Sequence, residues 1–240
     1  MKRISTKGLN VITAIILCAL SLGLAAICFI PSDVKTISGG KSYAPIYYGD
    51  RNSKNVALTF NVYEGADIIE GILAALKEHN AKATFFIGGC WAEKNVGTLK
   101  KILDEGHELG SHGYFHKDHS KISEERNREE MESTHGLIKH LTGYEIKLFA
   151  PPSGAYSVTT LKVAENMGYK TIMWSKDTVD WRDKNSKIVY NRAVKNICGG
   201  DIVLMHPKTH TLEALPKILE YYKSKGLTAT TVSECIGRND

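Results

Sequence analysis

From residue 55 onward, short apolar runs alternate with longer amphipathic stretches, and this alternation restricts the chain to few folds. Residues 56–60 and 83–87 have the continuous apolar character of buried strands. Five further strands are predicted at residues 107–110, 147–150, 170–174, 201–205 and 228–232. Helices are predicted between them at residues 67–78, 98–103, 123–141, 156–167, 187–196 and 212–225. Strands that alternate with helices indicate parallel β/α units with right-handed crossovers. We therefore expect an α/β fold, a distorted (β/α) barrel of about seven parallel strands.

The first thirty residues have a different character from the rest of the chain. Lys2, Arg3 and Lys7 precede an uncharged apolar run over residues 11–30. A run of about 20 apolar residues can cross a bilayer as a helix, and its basic flank stays in the cytoplasm. The alternative is a cleaved secretory signal, whose apolar core is normally shorter. We predict a cytoplasmic tip and transmembrane signal-anchor at 1–30, a linker at 31–54 and an extracytoplasmic domain at 55–235.

Charge and cysteine content exclude some classes of protein. The formal net charge of +5 is small and spread along the chain, which argues against a nucleic-acid partner. Cys90, Cys198 and Cys235 follow the apolar run at wide, irregular spacing. This spacing is typical neither of a disulfide framework nor of a CxxC metal site.

A histidine-rich segment follows the third predicted strand. His112 and His116 are four residues apart, and His119 lies just beyond. Imidazole is the commonest side-chain ligand for zinc and similar ions, although histidines in a turn are often only solvated residues.

Polar and aromatic residues follow the other predicted strands as well. The stretches that follow them are 61–67, 151–156, 177–181 and 206–207. In β/α barrels the loops at the carboxyl ends of the strands build the active site. Histidines, carboxylates and a tryptophan are therefore expected to meet on one rim, which strengthens the prediction of a metal site.

These stretches resemble the motifs of the NodB-type polysaccharide deacetylases, the family 4 carbohydrate esterases. The resemblance extends over about residues 55–232, with the motifs in the family's order. The matching stretches are Thr59-Phe60-Asn61-Val62, His112-Gly113-Tyr114-Phe115-His116, Ala150-Pro151-Pro152-Ser153-Gly154, Asp177-Thr178-Val179-Asp180-Trp181 and Leu204-Met205-His206. Sporulation-associated and other envelope relatives in Gram-positive bacteria, which have an altered first motif, resemble the chain more closely than the typical deacetylases do.

The resemblance implies metal-dependent removal of acetyl groups from an N-acetylated amino-sugar polymer, such as cell-wall peptidoglycan or a related glycan. In such chemistry a divalent ion, usually zinc although cobalt or nickel also suits the ligands, activates water and polarises the amide. By position, His112 and His116 would bind the metal.

The resemblance also assigns catalytic and substrate-binding roles. His206 would be the general acid that protonates the leaving amine, with Asp180 holding its ring. Trp181 and Leu204 would line the pocket for the acetyl methyl group. Pro152 and Ser153 would contact substrate, and the Ser153 N–H would stabilise the oxyanion.

Three positions depart from the family's pattern. Asn61 stands where the family has its catalytic base, Val62 where it has an aspartate ligand, and Ala150 where an arginine pairs with the base. One interpretation is an enzyme with a rearranged first loop, in which Glu64 or Asp67 supplies the base or third ligand, or Asn61 coordinates through its carbonyl oxygen. The alternative is a catalytically degenerate domain that binds glycan or serves as an envelope or sporulation scaffold.

Overall fold

The computed structural model describes residues 43–237, where short strands alternate with helices. The strands are β1 (Asn55–Val62), β2 (Thr84–Ile87), β3 (Glu108–Ser111), β4 (Leu148–Phe149), β5 (Lys170–Thr171), β6 (Lys176–Asp177), β7 (Ile202–Met205) and β8 (Thr228–Thr230). The helices are α1 (Ala66–Glu78), α2 (Gly89–Lys94), α3 (Val96–Asp104), α4 (Glu124–Thr142), α5 (Val158–Asn166), α6 (Ser186–Val194), α7 (Thr209–Ser224) and α8 (Val232–Cys235). A short 3-10 helix spans Pro152–Gly154.

The strands form one parallel sheet that curves into a distorted half-barrel. Their order is β5-β4-β3-β2-β1-β7-β6, and β8 pairs with the first residues of β1. Thr59 of β1 is in register with Thr84 on one side and Leu204 on the other. All residues of β1 after Asn55 are buried, as expected for a parallel strand covered on both faces. The predicted α/β barrel-like fold is confirmed.

The core fixes the strand ends that carry the polar loops. Phe60 and Phe85 stack at 5.1 Å between ring centroids, and neither side chain is exposed to solvent. Burying an aromatic side chain of this size stabilises the fold by about 1.5–3 kcal/mol. Because all the strands are parallel, their carboxyl ends lie along one edge of the sheet, and this edge carries the predicted site.

The structure differs from the predicted elements in three places. The run predicted as one strand over residues 170–174 forms β5 only at Lys170–Thr171, with Ile172 in an isolated bridge to Ile46. The separate strand β6 was not predicted, because two polar residues carry no apolar run. The helix expected over residues 98–103 is α3, and a distinct α2 precedes it because the backbone leaves helical geometry at Asn95 (φ −132°).

Part of the predicted linker contacts the sheet. Ile46 bridges to Ile172 and Tyr48 bridges to Asp201, so residues 46–48 join the end of β5 to the start of β7. The predicted anchor at 1–30 and residues 31–42 of the linker lie outside the described residues. Between residues 43 and 237, no helix has the length and apolar character needed to cross a membrane.

Candidate active site

The loops after the parallel strands enclose one pocket of about 550 Å³. Its lining residues are Asn61, Tyr63, Glu64, His112, His116, Ser153, Trp174, Asp177, Trp181, Leu204, His206 and Pro207. Each of the five motif stretches contributes at least one of them. The convergence expected from the sequence is therefore present in the structure.

Three predicted site residues do not line this pocket. Pro152 is buried beneath the exposed Ser153, whose φ of 55° lies in the left-handed region. Asp180 is buried behind His206. Asp67 is exposed in the first turn of α1, where a carboxylate interacts favourably with the helix dipole.

His206 is held by a buried carboxylate. Its Nδ1 lies 2.7 Å from Oδ1 of Asp180, and its backbone N–H donates to Oδ2 of the same residue at 2.7 Å. The Thr211 hydroxyl also donates to Oδ2, at 2.7 Å. Burial acts to raise the pKa of Asp180, but the hydrogen bonds and charge of His206, with the Thr211 hydroxyl, outweigh it and the pKa is lowered. An ionised Asp180 fixes the orientation of the imidazole through its Nδ1.

His112 and His116 lie side by side, with ring centroids 5.0 Å apart. The Nδ1–H of His112 donates to the carbonyl oxygen of Ala150 at 2.8 Å, so its Nε2 carries the lone pair. Burial, reinforced by His116, lowers the pKa of His112 to about 3. Burial also lowers the pKa of His116, and so does the charge of His206. Both rings are therefore held in the neutral, electron-donating form.

A buried acid on α4 holds the histidine segment. The carboxylate of Glu130 accepts the backbone N–H groups of Tyr114 and Phe115 at 2.8 and 2.7 Å, and Arg126 neutralises it at 2.9 Å. These bonds fix the turn in which His116 has a φ of 54°. Sequence reasoning missed Glu130, because an acid within a charged helix normally faces solvent.

The first loop lacks the groups that the family pattern requires. Asn61 is 5% exposed, and its Oδ1 has no hydrogen-bond partner among the described residues. Val62 is completely buried. Glu64 lines the pocket but pairs with Lys208, whose hydrogen bond and charge lower the pKa of the Glu64 carboxyl.

The implied metal does not fit the residues as they are arranged. His112 and His116 supply two imidazoles, but the side chain at Val62 has no donor atom. Across residues 43–237, no three or more His, Cys, Asp or Glu side chains are grouped so that they could hold an ion. The third ligand expected for zinc therefore has no counterpart in this arrangement.

Comparison with known proteins decides the family. The family model described as polysaccharide deacetylase matches residues 48–172. The chain belongs to the polysaccharide deacetylase family. A peptidoglycan-N-acetylglucosamine deacetylase of Bacillus cereus is 35% identical over 197 residues, which cover 80% of this chain and 72% of that protein. The uncharacterized protein YlxY of Bacillus subtilis is 37% identical over 190 residues, 79% of this chain, and the match spans only 60% of YlxY.

The solved structures that the chain resembles include that of a pseudoenzyme. A family 4 carbohydrate esterase pseudoenzyme from Bacillus anthracis superposes with a TM-score of 0.80 at 36% identity, covering 82% of this chain and 70% of that one. A mutant of that pseudoenzyme with restored enzymatic activity superposes with a TM-score of 0.79 at 35% identity, over 82% of this chain and 72% of that one.

These likenesses confirm the predicted class of enzyme, a polysaccharide deacetylase whose activity is in doubt. The doubt came from Asn61, Val62 and Ala150, and a pseudoenzyme among the similar structures agrees with it. Four residues that line the pocket had no role assigned from the sequence: Tyr63, Trp174, Asp177 and Pro207. Three of them lie in the stretches 61–67, 177–181 and 206–207 that were expected on the rim, and Trp174 is the last residue of the predicted strand 170–174.

Proposed function

We propose that this domain binds an N-acetylated amino-sugar polymer of the cell wall, such as peptidoglycan, and that it does not hydrolyse the polymer efficiently. The observation that carries the proposal is the asymmetry of the pocket. The general-acid part of the site is complete, because Asp180 holds His206 at 2.7 Å. At the positions where the family has its base and its aspartate ligand, the chain has the amide of Asn61 and the buried Val62.

The low rate of hydrolysis that we expect follows from the chemistry of the missing groups. An amide does not accept a proton usefully at neutral pH, and loss of a general base alone reduces a rate by about 10²–10⁴-fold. Glu64, the nearest carboxylate on this loop, is neutralised by Lys208. The walls of the pocket, including Trp181 and Leu204, retain an apolar surface suited to an acetyl group.

A second candidate is metal-dependent deacetylation, with zinc, cobalt or nickel. The intact His206–Asp180 pair favours it, because a binding domain has no need of an oriented acid. Deacetylation would require a carboxylate to complete the site around His112 and His116. Either Glu64 would have to leave Lys208, or Asp67 would have to leave the start of α1.

Binding and hydrolysis can be measured on the same protein. We expect the purified full chain to bind N-acetylglucosamine oligomers or peptidoglycan fragments, measured by calorimetry, and to release little acetate with or without added zinc. The triple variant Asn61→Asp, Val62→Asp, Ala150→Arg should gain metal and acetate release, and His206→Ala in that background should abolish the gain. Near-stoichiometric metal with acetate release by the unmodified chain would favour the second candidate, and absence of glycan binding would refute the first.

We further propose that the domain works outside the cytoplasm and is anchored by residues 11–30. The apolar run with its basic flank supports this location, and cell-wall polymer lies on that side of the membrane. Digestion of the domain by protease added to intact protoplasts tests it, and full protection would contradict it.

A further inference from the structure

Tyr63 is an aromatic residue of the pocket to which the family resemblance assigns no role. It follows Val62 directly at the end of β1 and lines the pocket with 41% of its surface exposed. Its ring lies against the imidazole of His116, with centroids 4.9 Å apart. Burial, reinforced by the neighbouring Cys90 and Glu130, raises the pKa of the Tyr63 hydroxyl.

The glycine at position 88 makes room for this ring. A Cβ atom at Gly88 would lie 2.6 Å from Cδ2 of Tyr63 and 3.3 Å from the carbonyl oxygen of Val62. The Gly88 N–H donates to that same carbonyl at 2.9 Å, which fixes the two loops together. The phenol ring is therefore held between the Gly88 backbone and the imidazole of His116.

A ring that is fixed and yet exposed toward a pocket is prepared to bind a ligand. Ordering it costs little further entropy when a ligand arrives, because its rotamer is already set. Pyranose rings present flat faces of C–H groups, and such faces pack on neutral aromatic rings. Trp181, 56% exposed, is the other strongly exposed aromatic residue that lines the same pocket.

We propose that Tyr63 is a sugar-stacking residue, which seats a pyranose of the polymer over the pocket. This inference rests on the proposed glycan binding and names a residue that determines it. The partner is the apolar face of a hexosamine unit, which packs on the ring of Tyr63.

The test is calorimetric titration of the full chain with an N-acetylglucosamine tetramer. Tyr63→Ala and Tyr63→Leu should weaken binding about tenfold or more, as truncation of a central aromatic contact does. Tyr63→Phe should stay within about threefold of the unmodified chain, because it keeps a flat ring of the same size. Gly88→Ala should also weaken binding, because it displaces the ring while Tyr63 is still present.

A residue that only filled space would behave differently. It would tolerate Leu, which fills space but has no flat face, about as well as Phe. Tyr48→Ala is the matched control. Tyr48 is also an exposed tyrosine (56%), but it lies beside Asp201, at the opposite end of β7 from His206. Its replacement should leave the affinity for the tetramer unchanged. Thermal unfolding of every variant checks that each one folds.

The outcomes separate this inference from the proposed function. If the unmodified chain binds the tetramer and Tyr63→Leu binds equally well, Tyr63 does not stack on sugar and the inference is overturned. If the unmodified chain binds no oligomer or peptidoglycan fragment, the proposed function fails and this inference fails with it. Loss of binding in Tyr63→Ala and Tyr63→Leu together with retention in Tyr63→Phe supports the inference.

Discussion

The side-chain oxygen of Asn61 is buried and finds no hydrogen-bond partner among residues 43–237. An unsatisfied buried acceptor costs about 1–3 kcal/mol, so the position is not optimised for stability. In the family pattern a carboxylate stands there and pairs with an arginine, and the present chain has Ala150 at the arginine position. Because this chain lacks both the carboxylate and the arginine, neither charge is left unpaired near the buried site. Restoring only one of the two would create an unpaired buried charge.

This residue-scale argument predicts the behaviour of a double-mutant cycle. Asn61→Asp alone and Ala150→Arg alone should each lower the free energy of unfolding at pH 7 by about 1–3 kcal/mol, because each buries a charge without its partner. The double variant should be more stable than the sum of the two effects by at least about 1 kcal/mol. Urea unfolding of the four proteins measures this coupling, and purely additive effects would show that the two side chains do not meet.

At the scale of the element, a buried histidine flanks each end of β3. His107 directly precedes the strand and His112 directly follows it. Nδ1 of His107 accepts the Ala83 backbone N–H at 3.3 Å, and Phe85 packs on the ring with centroids 5.5 Å apart. Burial, with a smaller effect from Lys82, lowers the pKa of His107 to about 4. Protonation at Nδ1 would break the bond that joins the starts of β2 and β3.

The sign of the pH dependence follows from this lowered pKa. The neutral ring is favoured in the folded state, so its contribution is complete above the unfolded pKa of about 6.5 and is lost as the pH falls toward 4. Between pH 7 and pH 4, the unmodified protein should lose about 2–3 kcal/mol more unfolding free energy than His107→Gln, which keeps an acceptor but does not titrate. Urea unfolding at both pH values measures the difference. Equal losses would mean that His107 does not control acid stability.

For the whole molecule, the sequence indicated the sheet and the rim better than the contacts that hold them. Alternating apolar runs predicted parallel strands, and the strand ends predicted that His112, His116 and His206 share one pocket. Glu130 was beyond reach, because an acid on a charged helix has no pattern that separates it from solvated residues. Tyr63 lies in the stretch 61–67 that was expected on the rim, but nothing in the sequence gives it a role. The specific bridges of residues 46–48 were not predicted, since two single-residue pairings leave no periodic signal.

These bridges give a prediction about where the folded domain begins. Ile46 donates to the carbonyl of Thr171 and accepts from the N–H of Met173, both at 2.8 Å, and Gly49 donates to Gly200 at 2.7 Å. Tyr47 reaches the Tyr156 hydroxyl at 2.8 Å. A protein that begins at residue 55 loses all four bonds and leaves buried Ile172 uncovered, whereas one that begins at residue 43 keeps them.

We expect the shorter protein to be less stable by at least about 2 kcal/mol, since each net hydrogen bond contributes about 0.5–1.5 kcal/mol and an apolar contact is lost as well. Thermal and urea unfolding of proteins that begin at residues 43 and 55 measure the difference. Ile46→Ala in the longer protein is the matched control, because it removes the apolar contact but leaves the backbone bonds. Its free energy of unfolding should lie between those of the two proteins. Equal stability of both proteins would place residues 43–54 outside the cooperative unit. The two ends of the sheet, β5 and β6, would then be covered by the remaining loops alone.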